Sequence, residues 1–224
     1  MNNVSNYKME LVRRQHLENE YYCFDFKKPD DFVFEEGQFC LFEIIHKVIE
    51  GRAVRAFSIA STNDESVIRI ATRIVDTCSA FKEELRTMPI GEAVSVTKPK
   101  GKFVLDEQHD GVFIAGGIGI TPIRSMLLSK ERNSLDRHDV LIYSELEECY
   151  PFNDELKNLS NLEIHYAADI APTQKLIIDN AKKHQNTVVY YASGSPGFVN
   201  GISGLLKENG VAQDHIRYDV FTGY

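Results

Sequence analysis

Val112, Phe113, Ile114 and Ala115 form an apolar run that passes directly into Gly116, Gly117, Ile118, Gly119, Ile120, Thr121 and Pro122. Beyond the turn, Ile123, Met126 and Leu127 recur at helical spacing. A buried strand, a glycine turn and a helix in that order are the opening unit of a parallel sheet. Glycines let the backbone adopt unusual dihedrals and approach a neighbour closely, and the free amides at a helix start favour an anion such as a pyrophosphate. Pro122 suits the first helical turn, where its missing amide costs nothing. It also stands where the full dinucleotide fingerprint has a third glycine, so the turn alone fits an ordinary tight connection as well.

The pattern differs on the two sides of a polar stretch, Asp106, Glu107, Gln108, His109 and Asp110. Before it, short alternating segments at 7–12, 21–26, 38–45, 55–59, 67–74 and 93–97 predict a six-stranded antiparallel β-barrel. After it, strand and helix patterns alternate at 112–115, 122–128, 140–143, 152–159, 162–166, 175–183, 188–192, 197–208 and 216–220. That alternation predicts a doubly wound parallel sheet with ligands at the carboxyl ends of its strands. The domains are therefore read as 1–106 and 107–224, with no internal repeat or low-complexity tract.

Within the first half, Arg55, Ala56, Phe57, Ser58, Ile59, Ala60 and Ser61 put a fixed cation, an aromatic ring and small hydroxyls on one strand-like run. Guanidinium matches phosphate oxygens in a two-pronged way, a ring can stack on a flat heterocycle, and a hydroxyl can bond a ring nitrogen. That mixture suits a flavin. A half-buried strand ending in a serine turn has the same pattern. Ser79 heads a helical pattern through Phe81, Leu85 and Met88, either as an N-cap or as a phosphate contact, and the two roles are compatible.

Taken in order, these motifs resemble the ferredoxin-NADP reductase family of flavoproteins, and the resemblance covers most of the chain. It implies that Arg55, Ala56, Phe57, Ser58, Thr72, Arg73, Ser79 and Lys82 hold FAD. It implies likewise that Gly116, Gly117, Ile118, Gly119, Thr121, Pro122, Gly194, Ser195 and Pro196 seat NADH or NADPH. Ser58, Thr121 and Ser193 would lie nearest the reacting atoms, and Phe221 or Tyr224 would lie beside the flavin. Ser193 stands where many family members carry a cysteine, which bears on rate more than on fold. The implied activity is hydride transfer from nicotinamide to flavin, with electrons passing to an iron-sulfur or haem protein on a separate chain or to a small acceptor. A reductase using free flavin as substrate and a non-catalytic nucleotide-binding protein remain alternatives. FMN is the alternative cofactor, and the Ser79 helix start, as a second phosphate contact, favours FAD. The acidic segment Glu145, Leu146, Glu147 and Glu148 would repel a 2'-phosphate and favours NADH, unless Arg124, Lys130 or Arg132 folds back toward it.

Composition narrows the alternatives. A net charge of -8 argues against a broad nucleic-acid surface. Cys23, Cys40, Cys78 and Cys149 are scattered, and the histidines are dispersed, so no metal site is expected. The chain lacks a run of about 20 apolar residues, and its polar start lacks a signal peptide's apolar stretch, so no membrane insertion and a cytoplasmic location are expected.

Overall fold

Alternating apolar and polar side chains become strands with one face turned to a common core. The computed structural model of the chain describes residues 6–132 and 138–222, the side chain of Arg132 excepted. It divides into two compact units, one running to Val104 and the other starting at Leu105. In the first, β1 (Tyr7–His16), β2 (Tyr21–Lys27), β3 (Phe39–Ile44), β4 (Val54–Ser58), β5 (Val67–Arg73) and β6 (Ala93–Val96) form an antiparallel sheet of order β4-β3-β6-β1-β2-β5. The two ends of that order meet. Ala60 donates to the Arg69 carbonyl at 2.8 Å and Arg69 donates to the Ser61 hydroxyl at 3.0 Å, which nearly closes the sheet into the expected barrel.

Helix α1 (Ala80–Thr87) stoppers this barrel. Phe81 and Leu85 are fully buried and join Phe24, Phe26, Phe42 and Phe57 in one core. Across β2 and β5, Asp25 accepts two hydrogen bonds from the Arg69 guanidinium at 2.7 and 2.9 Å, a paired charge that a half-buried barrel wall tolerates. Burial pushes the Cys40 thiol up to about 12 against the opposing pull of Lys100, so this cysteine behaves as a small apolar residue.

The second unit has a parallel sheet of order β11-β10-β7-β8-β9, made of β7 (Asp110–Gly116), β8 (Asp139–Ser144), β9 (Leu162–Ala167), β10 (Val188–Gly194) and β11 (Ile216–Val220). Every residue of β10 is buried, as a central strand covered on both faces requires. Helices α4 (Ile170–His184) and α5 (Pro196–Glu208) cover Val112, Ile114, Tyr190 and Ala192, while α2 (Ile120–Arg132) packs on the sheet from β7 and β10. The order reverses between β7 and β10, so their carboxyl ends are the crevice where such sheets take ligands.

Two helices differ from the sequence expectation. The 152–159 pattern yields only the single turn α3 (Asn153–Leu156), and Phe152, at φ 65°, stands outside it as the N-cap. Helix α4 starts earlier than 175 because Asp169 caps it, its carboxylate accepting from Ile170 at 2.6 Å, with Pro172 in the first turn. Among the described residues no helix is long and apolar enough to cross a membrane.

His184 closes α4 with its Nε2 buried and without a hydrogen-bond partner. Burial first, then the charge of Lys183, lowers its pKa against the opposing pull of Asp110 and Glu163. The unfolded chain therefore takes up this proton first on acidification. The stability linked to neutral His184 is complete above its ordinary value of 6.5 and is lost as pH falls through the lowered value. Urea melts at about pH 7 and about pH 5 should show a smaller loss of stability for His184→Gln than for the wild type.

Candidate functional site

At the mouth of the barrel, β4, β5 and α1 gather three cations, Arg55, Arg73 and Lys82, of which Arg73 is paired with a carboxylate. Arg55 donates to the neighbouring Val54 carbonyl at 3.3 Å and has no carboxylate partner among the described residues. Lys82 donates to the Arg73 carbonyl at 2.9 Å, and the Arg73 guanidinium is paired with Glu20 at 2.6 Å. The three charges interact. Burial lowers the Lys82 pKa most, the Cys78 thiol opposes this, and the charges of Arg55 and Arg73 add to the lowering. Ser79 caps α1, its hydroxyl accepting from the Lys82 amide at 3.4 Å, so the positive end of the helix lies within the same cluster. Cations that raise one another's energy and flank a helix N-terminus are suited to a multiply charged anion.

Of the residues expected to hold FAD, Arg55, Arg73, Ser79 and Lys82 are thus neighbours in the fold. Phe57 differs. Its ring is 9% exposed and packs between Phe42 and Phe81, with centroids 5.7 and 5.8 Å away, so in this structure it is a barrel-core ring and not an open stacking face. Ala56 is exposed beside Arg55, Ser58 ends β4 in a buried position, and Thr72 is buried with its hydroxyl 3.4 Å from the Arg73 carbonyl.

In the second unit the ends of β7 and β10 are made of backbone. Gly117, Ile118 and Gly119 form a 3-10 turn, and Gly117 has φ 52°, a conformation glycine adopts without strain. A Cβ on Gly119 would fall 2.2 Å from the Ser193 carbonyl oxygen, so the turn lies directly on β10. Gly116 and Gly194 leave room for the Phe198 ring, which a Cβ on either would meet at 2.8 or 3.0 Å. Phe198 had no signal in the sequence beyond its helical spacing.

Ser193, wholly buried beside this turn, has a hydroxyl with no hydrogen-bond partner. An orphan buried donor at the switch point is the kind of group a ligand satisfies. Thr121, expected near reacting atoms, is 1% exposed and spends its hydroxyl on the Ile118 carbonyl at 3.0 Å, which makes it a residue that braces the turn. Ser195 caps α5, its hydroxyl accepting from Phe198 at 3.4 Å, and Pro196 occupies the first turn. Pro122 sits in the first turn of α2. Phe221 donates its amide to the Gly194 carbonyl at 2.9 Å, and its side chain is half-buried. Tyr224 lies outside the described residues.

Two of the cations held open as alternatives to the acidic segment after β8 are engaged elsewhere. Lys130 pairs with Asp139 at the opposite end of β8, and Arg124, 2% exposed, pairs with Glu155 and lies over the Phe152 ring. Neither reaches back to serve a 2'-phosphate, and the Arg132 side chain lies outside the described residues. Glu145 is itself buried, which leaves Glu147 and Glu148 as the exposed carboxylates of the segment.

No family model matches the chain. It is 24% identical to the flavohemoprotein of Bacillus subtilis (strain 168) over 241 residues, covering 96% of this chain and 59% of that protein. It is 27% identical to a component of the Na(+)-translocating NADH-quinone reductase of Haemophilus ducreyi, covering 89% of this chain and 56% of the relative. The chain thus spans a little over half the length of these relatives. Among solved structures it resembles the ferredoxin-NADP+ reductase of Plasmodium falciparum, with TM-score 0.83 and 20% identity over 96% of both chains. The ferredoxin NADP+ reductase of Neisseria gonorrhoeae, solved with FAD and NADP bound, gives 0.81 at 18% identity over 98% of this chain and 99% of that one. The resemblance carried by the motifs is thus found again in the fold.

Gly119→Ala tests the contact between the turn and β10. The added methyl has no room, so the variant should lose about 1–3 kcal/mol in urea unfolding, with the turn displaced from Ser193.

Proposed function

We propose that the chain is an FAD-dependent NAD(P)H oxidoreductase module, its barrel holding FAD and its parallel sheet binding the nicotinamide nucleotide. The reading is carried by the cluster of Arg55, Lys82 and the Ser79 helix start, with Arg73 paired to Glu20 beside them, which fits the diphosphate of FAD. The switch-point turn supports a dinucleotide at the ends of β7 and β10. Bound FAD would supply the redox chemistry, taking a hydride from reduced nicotinamide and passing electrons onward singly.

The protein's own part is binding and orientation. Arg55 and Lys82 neutralise phosphate charge, and the capped α1 terminus adds its dipole. Ser58, at the end of β4, is proposed to meet the flavin ring. Gly117, half-buried, lets a nucleotide approach the backbone of the turn, while Gly119 packs that turn onto β10 with Ser193 buried beneath it. Phe221 is the remaining described aromatic proposed to lie beside the flavin.

The electron acceptor is proposed to be an iron-sulfur or haem protein or a small acceptor, the haem reading supported by a relative named as a flavohemoprotein and the small acceptor by one named as part of an NADH-quinone reductase. A cytoplasmic location belongs to the same proposal, supported by four cysteines that are all free thiols. Release of the flavin during gentle purification would favour the reading in which free flavin is a substrate.

Arg55→Ala should weaken FAD binding by about 1.5–3 kcal/mol, through loss of a charge-assisted contact, as measured by flavin fluorescence titration. Unchanged affinity would remove Arg55 from the site. Anaerobic mixing should bleach the flavin band faster with NADH than with equal NADPH, because Glu147 and Glu148 are exposed just beyond the end of β8. Glu147→Arg should raise the NADPH rate relative to NADH with the flavin spectrum intact. A wild-type preference for NADPH would contradict the role of the acidic segment.

A further inference from the structure

We propose that Glu84 is a positioning residue for the anion site, its carboxylate clamping the β3–β4 connection onto α1 and so holding Arg55 in register with Lys82. This rests on the reading of that site as the FAD diphosphate site. Glu84 is 5% exposed on the helix that buries Phe81 and Leu85, an unusual place for a carboxylate. Two side chains of the β3–β4 connection hold it. His46 Nε2 lies 2.8 Å from one of its oxygens, and Lys47 Nζ pairs with the other.

Both partners belong to the connection that leads into β4, whose second residue is Arg55. Lys82 lies two positions before Glu84 on α1. One buried carboxylate therefore ties together the two segments whose cations repel each other. Burial works against the Glu84 charge, and the hydrogen bonds from Lys47 and His46 more than offset it, so its pKa lies below the ordinary carboxylate value. Without the clamp, the repulsion between Arg55 and Lys82 shifts the exposed start of β4 away from α1 whenever no anion lies between them, while the Phe57–Phe81 contact keeps the core of the two elements together.

Flavin fluorescence titration of wild type, Glu84→Gln, Arg55→Ala and the double variant tests this. Glu84→Gln should weaken FAD binding about tenfold in the wild-type background and change it little in the Arg55→Ala background, because the clamp acts through Arg55. A variant with both His46→Asn and Lys47→Met cuts the same clamp from its exposed side and should show the same loss, even if Glu84→Gln fails to fold. Equal affinity in the clamp variants, or the same loss with and without Arg55, would overturn the proposal. Wild-type protein that binds no FAD would instead overturn the reading on which it rests.

Discussion

The backbone of Gly119 lies on the carbonyl of Ser193, closer than any side chain permits. That contact joins the turn after β7 to the end of β10, the two strands between which the strand order reverses. It depends on Gly117 at positive φ and on Gly116 and Gly194, which leave space for Phe198. Thr121 and Ser195 then spend their hydroxyls fastening the two helix starts. What remains at the strand ends is the half-buried backbone of Gly116 and Gly117, with one buried, unsatisfied hydroxyl beside it.

The barrel meets a different constraint. Its interior is filled by aromatic and aliphatic side chains, so a ligand would have to be held from its mouth, by charge and by a helix terminus. Arg55 and Arg73 sit close enough to Lys82 to disfavour its protonated form, and of the three only Arg73 has a carboxylate partner among the described residues. Such an arrangement costs stability in the free protein. An anion between the cations would relieve it and would couple the folding of this corner to ligand binding.

Much of this was legible in the sequence because the signals were local. Period-two alternation marked the barrel strands, and the apolar run into Gly116 and Gly117 marked the first parallel strand and its turn. Ser79 read correctly as a cap because capping is decided within four residues. The features that were not legible depend on partners distant in sequence. Phe57 alternates as a ligand-facing ring would, and only packing against Phe42 and Phe81 shows it to be core. Lys130 and Arg124 looked available until Asp139 and Glu155 claimed them. Glu84 gave no signal at all, because His46 and Lys47 reach it across 38 and 37 residues of chain.

The central claim is that the barrel recognises a diphosphate and not a single phosphate. Titrating flavin-free protein with FAD and with FMN, each followed by flavin fluorescence, reads that claim directly. We expect FAD to bind tighter by about tenfold or more, since its second phosphate meets Lys82 and the α1 terminus in addition to Arg55. Equal affinity for the two, or a preference for FMN, would contradict it.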